Sequence, residues 1–215
     1  MRRPDRVATE DSVTSEYARL AARYDTRWSR YLSATINETL SRLPKNPPLR
    51  VLDVACGTGA LLMPLVAKYP NASLTGIDLT PEMLEIARRK LPERIILVCA
   101  KAENLPFPAQ YFDLVISANS FHYFHDPRRA LSEFHRVLAP LGALVITDWC
   151  DDFIFCKVCD LFLRLFNRAH SRTYRREECK NLLECSAFEA VHVASYKVSW
   201  LWGLMTAQAR RRGVT

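Results

Sequence analysis

The sequence contains no uninterrupted apolar run of about 18 residues, which is the length that a membrane-spanning helix requires. Its first residues, Met-Arg-Arg-Pro-Asp-Arg, also lack the apolar core of a secretory signal. From these two absences we expect no membrane span and a cytoplasmic protein. Internal repeats, low-complexity tracts and a recognisable linker are missing as well. The prediction is therefore a single domain over residues 1–215.

The cysteines do not form a disulfide framework, because there are seven of them and most lie in apolar surroundings. Reduced, partly buried thiols are the simplest interpretation. Cys156 and Cys159 form a Cys-x-x-Cys pair, but a zinc site needs two further ligands and the sequence has no second tight pair. We therefore predict no metal.

The formal net charge of +7 is unevenly distributed along the chain. Arg210, Arg211 and Arg212 stand together near the end, and a second basic cluster extends from Arg164 to Lys180. A solvated face and an exposed tail are the favoured interpretation. The alternative is an anionic partner, such as a substrate carboxylate, a phosphate or a membrane surface.

Apolar runs alternate with helical periodicities along most of the chain, after a helical segment over residues 12–43. Strands are predicted at residues 50–55, 72–78, 94–100, 112–118, 142–149, 188–198 and 201–210. Helices are predicted at residues 60–69, 81–90, 127–138, 153–166 and 175–185. This order predicts an α/β fold with a parallel sheet and helices on both faces, in which ligands bind at the carboxyl ends of the strands.

The stretch from Arg50 to Leu62 has the order of a ligand-binding turn, with a buried strand, a glycine turn and a helix. Gly57 and Gly59 let the backbone approach a ligand, and the following helix offers free N–H groups. Asp53 lies inside the apolar strand, where a carboxylate needs a partner.

Two further features lie at strand ends in the predicted sheet. Asp78 ends the second strand, where a carboxylate can accept hydrogen bonds from both hydroxyls of a ribose. The loop Lys101-Ala102-Glu103 follows the third strand, and its backbone could flank an adenine. Together with the glycine turn, they predict a ligand that contains a nucleoside. A dinucleotide is disfavoured, because Leu62 occupies the third glycine position of Gly-x-Gly-x-x-Gly.

Four collinear motifs resemble those of class I S-adenosylmethionine-dependent methyltransferases, of the small-molecule subgroup that includes ubiquinone and menaquinone biosynthesis methyltransferases. They are Val-Leu-Asp-Val-Ala-Cys-Gly-Thr-Gly (51–59), Gly-Ile-Asp-Leu-Thr-Pro-Glu-Met-Leu-Glu-Ile-Ala-Arg (76–88), Ala-Glu-Asn-Leu-Pro-Phe (102–107) with Phe-Asp-Leu-Val (112–115), and Leu-Ser-Glu-Phe-His-Arg-Val-Leu-Ala-Pro (131–140). The resemblance implies a Rossmann-like, doubly wound, mostly parallel seven-stranded sheet whose last strand is antiparallel. It also implies a cofactor-binding core at 50–150, lid helices over the acceptor at 151–186 and final strands at 187–210.

The resemblance implies S-adenosylmethionine as the cofactor and assigns roles to individual residues. The loop Ala55–Gly59 would line the methionine end, Asp53 would hold this loop and the methionine amino group, and Asp78 would bind the ribose. The complete set of implied contacts is Tyr17, Tyr24, Asp53, Ala55, Cys56, Gly57, Thr58, Gly59, Asp78, Leu79, Met83, Ala102, Glu103 and Asn119. As alternatives, Asp78 could serve only the start of a helix, and the two tyrosines could be ordinary core residues.

The adenine end of this implied site departs from the family pattern. Leu79 and Met83 would pack on the adenine, and the backbone of Ala102 would meet its edge. Family members usually carry an acidic residue directly before the Ala-Glu pair, whereas this sequence has Lys101. The family's acidic side chain for the adenine amino group is thus absent at position 101, and Glu103 is the candidate substitute.

The rest of the implied site is nearer to the family pattern. Asn119 would lie near the methionine part of the cofactor, and Tyr17 and Tyr24 match aromatic positions of N-terminal helices that close over the cofactor. Ala55 replaces a common glycine with another small residue. Leu141 replaces the first glycine of Pro-Gly-Gly, so a different turn into the fifth strand is expected.

On the acceptor side, His122 is the candidate catalytic base, since histidine exchanges protons near neutral pH. The alternative is a histidine that only packs or anchors its loop. The Phe-rich helix over 153–166 would suit an apolar acceptor with an anionic or polar head, but a membrane contact, a dimer interface or plain core packing also fits.

The leading interpretation is a methyltransferase that acts on a small, rather apolar acceptor. An RNA or protein acceptor is the second interpretation, and a non-catalytic nucleoside-binding or interaction protein is the third. DNA is not expected, because Ala-Asn-Ser-Phe (118–121) stands where DNA amino-methyltransferases carry Asn/Asp-Pro-Pro-Tyr. Both a monomer and a homodimer are compatible with the sequence.

Overall fold

The computed structural model describes residues 10–153, 173–199 and 202–213. Its strands are β1 (Arg50–Val54), β2 (Ser73–Asp78), β3 (Ile96–Cys99), β4 (Phe112–Ala118), β5 (Leu138–Trp149), β6 (Phe188–Lys197) and β7 (Gly203–Arg211). Its helices are α1 (Glu10–Leu20), α2 (Tyr24–Arg27), α3 (Ser29–Ser41), α4 (Leu62–Lys68), α5 (Pro81–Lys90), α6 (Pro127–Val137) and α7 (Arg176–Cys185). Short 3₁₀ turns occupy Ala21–Arg23 and Phe121–Tyr123.

The strands form one seven-stranded sheet in the order β3-β2-β1-β4-β5-β7-β6. Strands β1 to β5 pair in parallel, and β7 runs antiparallel to both β5 and β6. This architecture confirms the predicted Rossmann-like fold. Because the chain turns back between β1 and β4, the sheet has its switch point there, and the loops after these strands lie at the edge where such folds bind ligands.

Successive strand residues point to opposite sides of the sheet, so a strand with apolar residues throughout needs a covering layer on each face. Helices form both of these layers. In β1, Leu52 and Val54 belong to a core cluster that also contains Phe134 of α6 and Leu183 of α7. Val51 belongs to the opposite cluster, together with residues of α4 and α5. The two layers bury the central strands β1, β4 and β5, so the strand ends and their loops remain as the places where a ligand can bind.

The N-terminal cap, which the sequence suggests as helical over residues 12–43, consists of the three helices α1, α2 and α3. Helix α3 is attached to the sheet through buried hydroxyl groups. Thr39 Oγ1 donates a hydrogen bond to Thr147 Oγ1 at 2.9 Å, and Thr147 in turn is 3.0 Å from Thr206 Oγ1. The cap is therefore joined to β5 and β7 by polar contacts as well as by packing.

Some element boundaries differ from the sequence prediction. Strand β3 is shorter than predicted, and α4 begins at Leu62 rather than at residue 60, because the glycine turn continues to Leu61. Strand β5 begins at Leu138 instead of 142 and includes Leu141 with a positive φ of 61°. The chain makes the turn there with a leucine in the left-handed conformation, which glycine would adopt without strain.

Several sequence predictions concern residues outside the described part of the chain. These include Cys156, Cys159 and all of the Phe-rich helix after Phe153. Within the described residues, no helix combines the length and apolar character needed to cross a membrane. The same residues contain no group of three or more His, Cys, Asp or Glu side chains arranged to hold a metal ion.

Candidate functional site

The loop after β1 makes a tight turn below the open edge of the sheet. Ala55, Gly57 and Gly59 all have positive φ angles, of 58°, 53° and 76°. The N–H of Cys56 donates to the carbonyl oxygen of Ile77 at 2.8 Å, which fixes the loop against the end of β2. This conformation leaves the backbone of Gly57 beside a cavity, because a Cβ built there meets no atom of the described residues within 4 Å.

Gly59 has a different function in the loop from Gly57. It does not line the cavity, and a Cβ at this position would lie 2.7 Å from Leu91 Cδ1 and 3.4 Å from Ala87 Cβ. The absence of a side chain thus lets α5 pack directly against the loop. Gly57 is required on the ligand side of the turn, and Gly59 on the protein side.

Two carboxylates lie at the carboxyl ends of β1 and β2. Asp53 is 2% exposed, and its Oδ2 has no hydrogen-bond partner among the described residues. Burial, assisted by the negative charge of Asp78, raises the pKa of Asp53 well above its usual value. A buried carboxylate without a partner is costly, so this position favours a cationic or hydrogen-bond-donating ligand.

Asp78 is held by the backbone of both neighbouring loops. Its Oδ2 accepts a hydrogen bond from the Gly57 N–H, and its Oδ1 accepts one from the Thr80 N–H, both at 2.8 Å. Burial raises the pKa of Asp78, and these hydrogen bonds oppose the rise only in part. The carboxylate also lines the cavity, where a ligand hydroxyl can reach it.

One cavity brings together most of the residues that the sequence suggested as cofactor contacts. Its walls come from the β1 loop, the end of β2, the loop after β3, the end of β4 and the N-terminal cap. The suggested residues on these walls are Tyr17, Tyr24, Asp53, Ala55, Cys56, Gly57, Thr58, Asp78, Leu79, Met83, Ala102, Glu103 and Asn119. Gly59, as described above, lies behind the wall.

The loop after β3 presents both a cation and a carboxylate at the cavity. Lys101 lines the cavity while its side chain is largely exposed. Glu103 Oε1 accepts hydrogen bonds from the backbone N–H groups of His125 and Asp126, at 3.1 and 3.4 Å. Arg129 Nε donates to the Glu103 carbonyl oxygen at 3.0 Å. Glu103 therefore joins this loop to the start of α6, in addition to facing the cavity.

Aromatic rings form the cap side of the cavity. Tyr17 packs against Tyr24, with ring centroids 5.8 Å apart, and against Tyr123 in an edge contact at 5.5 Å. Burial and the nearby charges of Asp25 and Asp78 raise the pKa of Tyr24 to about 12. At neutral pH this phenol is therefore uncharged, and it offers the cavity a hydrogen-bonding hydroxyl and an aromatic face.

Asn119 lies at the end of β4 with a positive φ of 59°. Its side chain is engaged by the N-terminal cap, since Tyr31 Oη donates to Asn119 Oδ1 at 2.7 Å. On its other side, Asn119 Nδ2 donates to Thr35 Oγ1 at 2.9 Å. Asn119 borders the cavity and at the same time positions α3.

His122 forms a buried pair with Asp148, a residue that the sequence reasoning missed. The two side chains are 3% and 0% exposed, and His122 Nδ1 lies 2.7 Å from Asp148 Oδ1. Asp148 Oδ2 accepts a second hydrogen bond from the His122 backbone N–H at 2.8 Å. A proton on Nδ1 directed at the carboxylate leaves the lone pair on Nε2, which is the tautomer of a catalytic base.

His122 does not line the cavity. Its ring is one side chain away from it, with a centroid 3.9 Å from that of Tyr123, and it stacks on Trp149 at 5.3 Å. This burial also agrees with the alternative prediction of a packing histidine. Asp148 lies near the carboxyl end of β5, so the rule that identified Asp78 at the end of β2 could have identified it.

The comparisons with known proteins agree with this geometry. Residues 52–146 match the family described as "Methyltransferase domain". A demethylmenaquinone methyltransferase of Thermus thermophilus is 41% identical over 128 residues, which are 58% of this chain and 55% of that protein. A malonyl-[acyl-carrier protein] O-methyltransferase of Priestia megaterium is 35% identical over 103 residues, 47% of this chain and 37% of that protein. The chain thus matches only part of the length of these relatives.

Solved structures share the fold at low sequence identity. A S-adenosylmethionine-dependent methyltransferase of Thermotoga maritima superposes with a TM-score of 0.77 at 20% identity, covering 93% of this chain and all (100%) of that one. Human N-acetylserotonin methyltransferase, in complex with S-adenosylmethionine, gives a TM-score of 0.70 at 18% identity, covering 94% and 57%. Residues 52–146 thus match a methyltransferase domain, and the seven-stranded sheet has the fold of these solved methyltransferase structures.

Proposed function

We propose that this protein transfers a methyl group from S-adenosylmethionine to a small acceptor molecule, and that the cavity above β1 and β2 holds the cofactor. The single observation that carries the proposal is the carboxylate of Asp53. It is buried at the cavity wall, and its Oδ2 has no hydrogen-bond partner among the described residues. The methionine amino group is a cation that would satisfy this oxygen and keep the carboxylate ionised.

The remaining walls fit the other parts of the cofactor. The carboxylate of Asp78 lines the cavity and accepts hydrogen bonds from the ribose hydroxyls. The side chains of Leu79 and Met83 offer an apolar surface for the adenine, because both line the cavity. The bare backbone of Gly57 leaves room for the methionine portion.

S-adenosylmethionine supplies an electrophilic methyl group on a sulfonium, so the reaction is an in-line displacement by the acceptor atom. The contribution of the protein is mainly to hold the acceptor in line, and such orientation lowers a barrier by several kcal/mol, up to about 7–11 kcal/mol in the best cases. The rings of Tyr17, Tyr24 and Tyr123 form an aromatic wall on the cap side of the cavity.

A small, largely apolar acceptor is favoured by the aromatic groups behind the end of β5. Trp149 and Trp202 have ring centroids 4.9 Å apart, and Tyr31 packs against both. Trp149 Nε1 also donates to Tyr31 Oη. The relatives named for demethylmenaquinone and for malonyl-[acyl-carrier protein] support an acceptor of low molecular weight, in one case carried on a protein.

We propose His122 as the base for acceptors that must lose a proton, with Asp148 holding its ring. The carboxylate fixes the Nδ1 tautomer and stabilises the imidazolium that forms after proton transfer. The substitution His122→Gln tests this assignment through the pH profile of turnover. If the profile and the turnover number stay unchanged, His122 is a packing residue.

The test of the proposed function is a methyl-transfer assay with labelled S-adenosylmethionine across phenols, quinols, carboxylic acids and amines. Transfer to at least one class is expected, and Asp53→Asn should reduce it, whereas Glu38→Gln on the outer part of the cap should not. Transfer to RNA or to protein instead would replace the small-molecule acceptor. Binding of the cofactor without transfer to any class would favour a nucleoside-binding protein.

A further inference from the structure

Asp25 in the N-terminal cap contacts two separate parts of the cofactor-binding core at once. Its Oδ1 accepts a hydrogen bond from Thr58 Oγ1 at 2.6 Å, and its Oδ2 pairs with Lys90 Nζ at 2.5 Å. Thr58 stands between Gly57 and Gly59 in the turn after β1, and Lys90 is the last residue of α5. One carboxylate therefore joins the cap to both elements that shape the base of the cavity.

Helix α2 depends on contacts of this kind for its position. It has only four residues, Tyr24 to Arg27, and none of them is fully buried. A single helical turn is not stable in water by itself, because nucleation costs more than one turn of hydrogen bonds returns. Of the contacts that hold α2, the hydrogen bond from Thr58 has a nearly inaccessible donor, since Thr58 is 1% exposed.

The position of Asp25 also determines the position of the neighbouring tyrosine. Tyr24 lines the cavity and packs against Tyr17, which in turn contacts Tyr123 at the end of β4. If Asp25 separated from Thr58, α2 would be free to move and the ring of Tyr24 would move with it. The contacts of Asp25 thus stabilise the aromatic wall through the backbone of α2.

We propose that Asp25, Thr58 and Lys90 form a latch that holds the N-terminal cap closed over the cofactor cavity, with Asp25 as a positioning residue. This inference rests on the proposed function, because it concerns exchange of the cofactor. The ion pair is partly exposed, with 34% of the Lys90 and 40% of the Asp25 side chain accessible, so water can compete for it and the latch can open. Opening of the cap is then the step that releases the used cofactor.

The test measures the dissociation rate of S-adenosylhomocysteine by displacement with excess S-adenosylmethionine in a stopped-flow instrument. Asp25→Ala removes both contacts and should accelerate dissociation about tenfold or more, the range expected for a hydrogen bond to a charged group. Asp25→Asn keeps an acceptor for Thr58 but loses the ion pair, so about two- to fivefold is expected. The matched control is Glu38→Gln, which removes the ion pair of the cap with Arg42 and does not border the cavity.

A double-mutant cycle separates the latch from a general loosening of the cap. If the latch exists, Thr58→Val accelerates dissociation in the wild-type background and has little further effect in Asp25→Ala. The Michaelis constant for S-adenosylmethionine should rise in Asp25→Ala while that for the acceptor stays unchanged. Additive effects of the two substitutions would overturn the latch.

The two levels of the proposal fail in different ways. If the wild-type protein binds neither S-adenosylmethionine nor S-adenosylhomocysteine, the proposed function is wrong and the latch with it. If the wild-type protein binds both and the dissociation rate of Asp25→Ala equals that of Glu38→Gln, the proposed function stands and the latch alone is wrong.

Discussion

The two glycines of the β1 loop should respond differently to the same substitution. In Gly59→Ala, the new Cβ would lie 2.7 Å from Leu91 Cδ1, and the residue would keep a φ of 76°. The left-handed conformation costs an L-residue about 1–2 kcal/mol, and overpacking against a buried leucine costs about 1–3 kcal/mol more. Alanine also lowers the conformational entropy of the unfolded chain, which offsets about 0.4–1 kcal/mol of this destabilisation. The free energy of unfolding should therefore fall by about 1–5 kcal/mol.

In Gly57→Ala the backbone strain is similar, with a φ of 53°, but the new methyl group meets no described atom within 4 Å. Only the backbone strain remains, and the lower entropy of the unfolded chain offsets part of it, so the free energy of unfolding should fall by about 0–1.5 kcal/mol. The methyl group instead projects beside the cavity, where it should weaken cofactor binding about tenfold or more. Gly59→Ala should thus reduce stability, and Gly57→Ala should reduce mainly affinity.

The assay is urea unfolding of the ligand-free variants, together with calorimetric titration by S-adenosylhomocysteine. Equal destabilisation by the two substitutions, or a larger one at Gly57, would refute the division of roles between the ligand side and the protein side of the turn. Normal affinity of Gly57→Ala would show that the cofactor does not approach this backbone.

Three further predictions follow from the other strained or buried groups. Leu141→Gly should stabilise the protein by about 0.5–1 kcal/mol in urea unfolding, because Leu141 has a φ of 61° and is 60% exposed; a loss of stability would contradict this. The pKa of Asp53 is raised in the folded state, so the ligand-free folded protein binds this proton more tightly than the unfolded chain does. The protein therefore loses stability as the pH rises from the pKa of Asp53 in the unfolded chain toward its pKa in the folded protein. Asp53→Asn should therefore reduce this loss of stability with rising pH and raise the melting temperature of the ligand-free protein at neutral pH, while it weakens cofactor binding. A lower melting temperature would contradict the prediction for stability. Asp148→Asn should reduce turnover about 10²-fold, with the cofactor dissociation constant unchanged, and an unaltered rate would show that the pair with His122 is structural.

The sheet and the glycine turn after β1 could be predicted because local sequence determines them. A short continuous apolar run, as at Val51 and Leu52, indicates a buried strand, and glycines after such a strand indicate a turn. Parallel strands place their carboxyl ends together, so Asp53 and Asp78 were expected near each other before any coordinates. The α/β alternation thus determines the fold and the loops that surround the cavity.

The remaining features depend on contacts between distant parts of the chain. Asp25 meets Thr58 across 33 positions and Lys90 across 65, and no periodicity signals such a pair. Asp148 stands in an apolar strand, where its partner His122 can be identified only once β4 and β5 are known to be adjacent. Leu141 shows the limit of turn rules, because the sequence suggested a changed turn without giving its conformation.

The central claim is that the cavity between the β1 loop and the N-terminal cap binds S-adenosylmethionine. Calorimetric titration of the wild-type protein, Asp78→Ala and Glu38→Gln with S-adenosylmethionine tests it most directly. We predict one site per chain, affinity about 100-fold weaker in Asp78→Ala because two ligand hydroxyls lose their acceptor, and no change in Glu38→Gln. Absence of binding by the wild-type protein at millimolar cofactor, or equal binding by all three proteins, would contradict the claim.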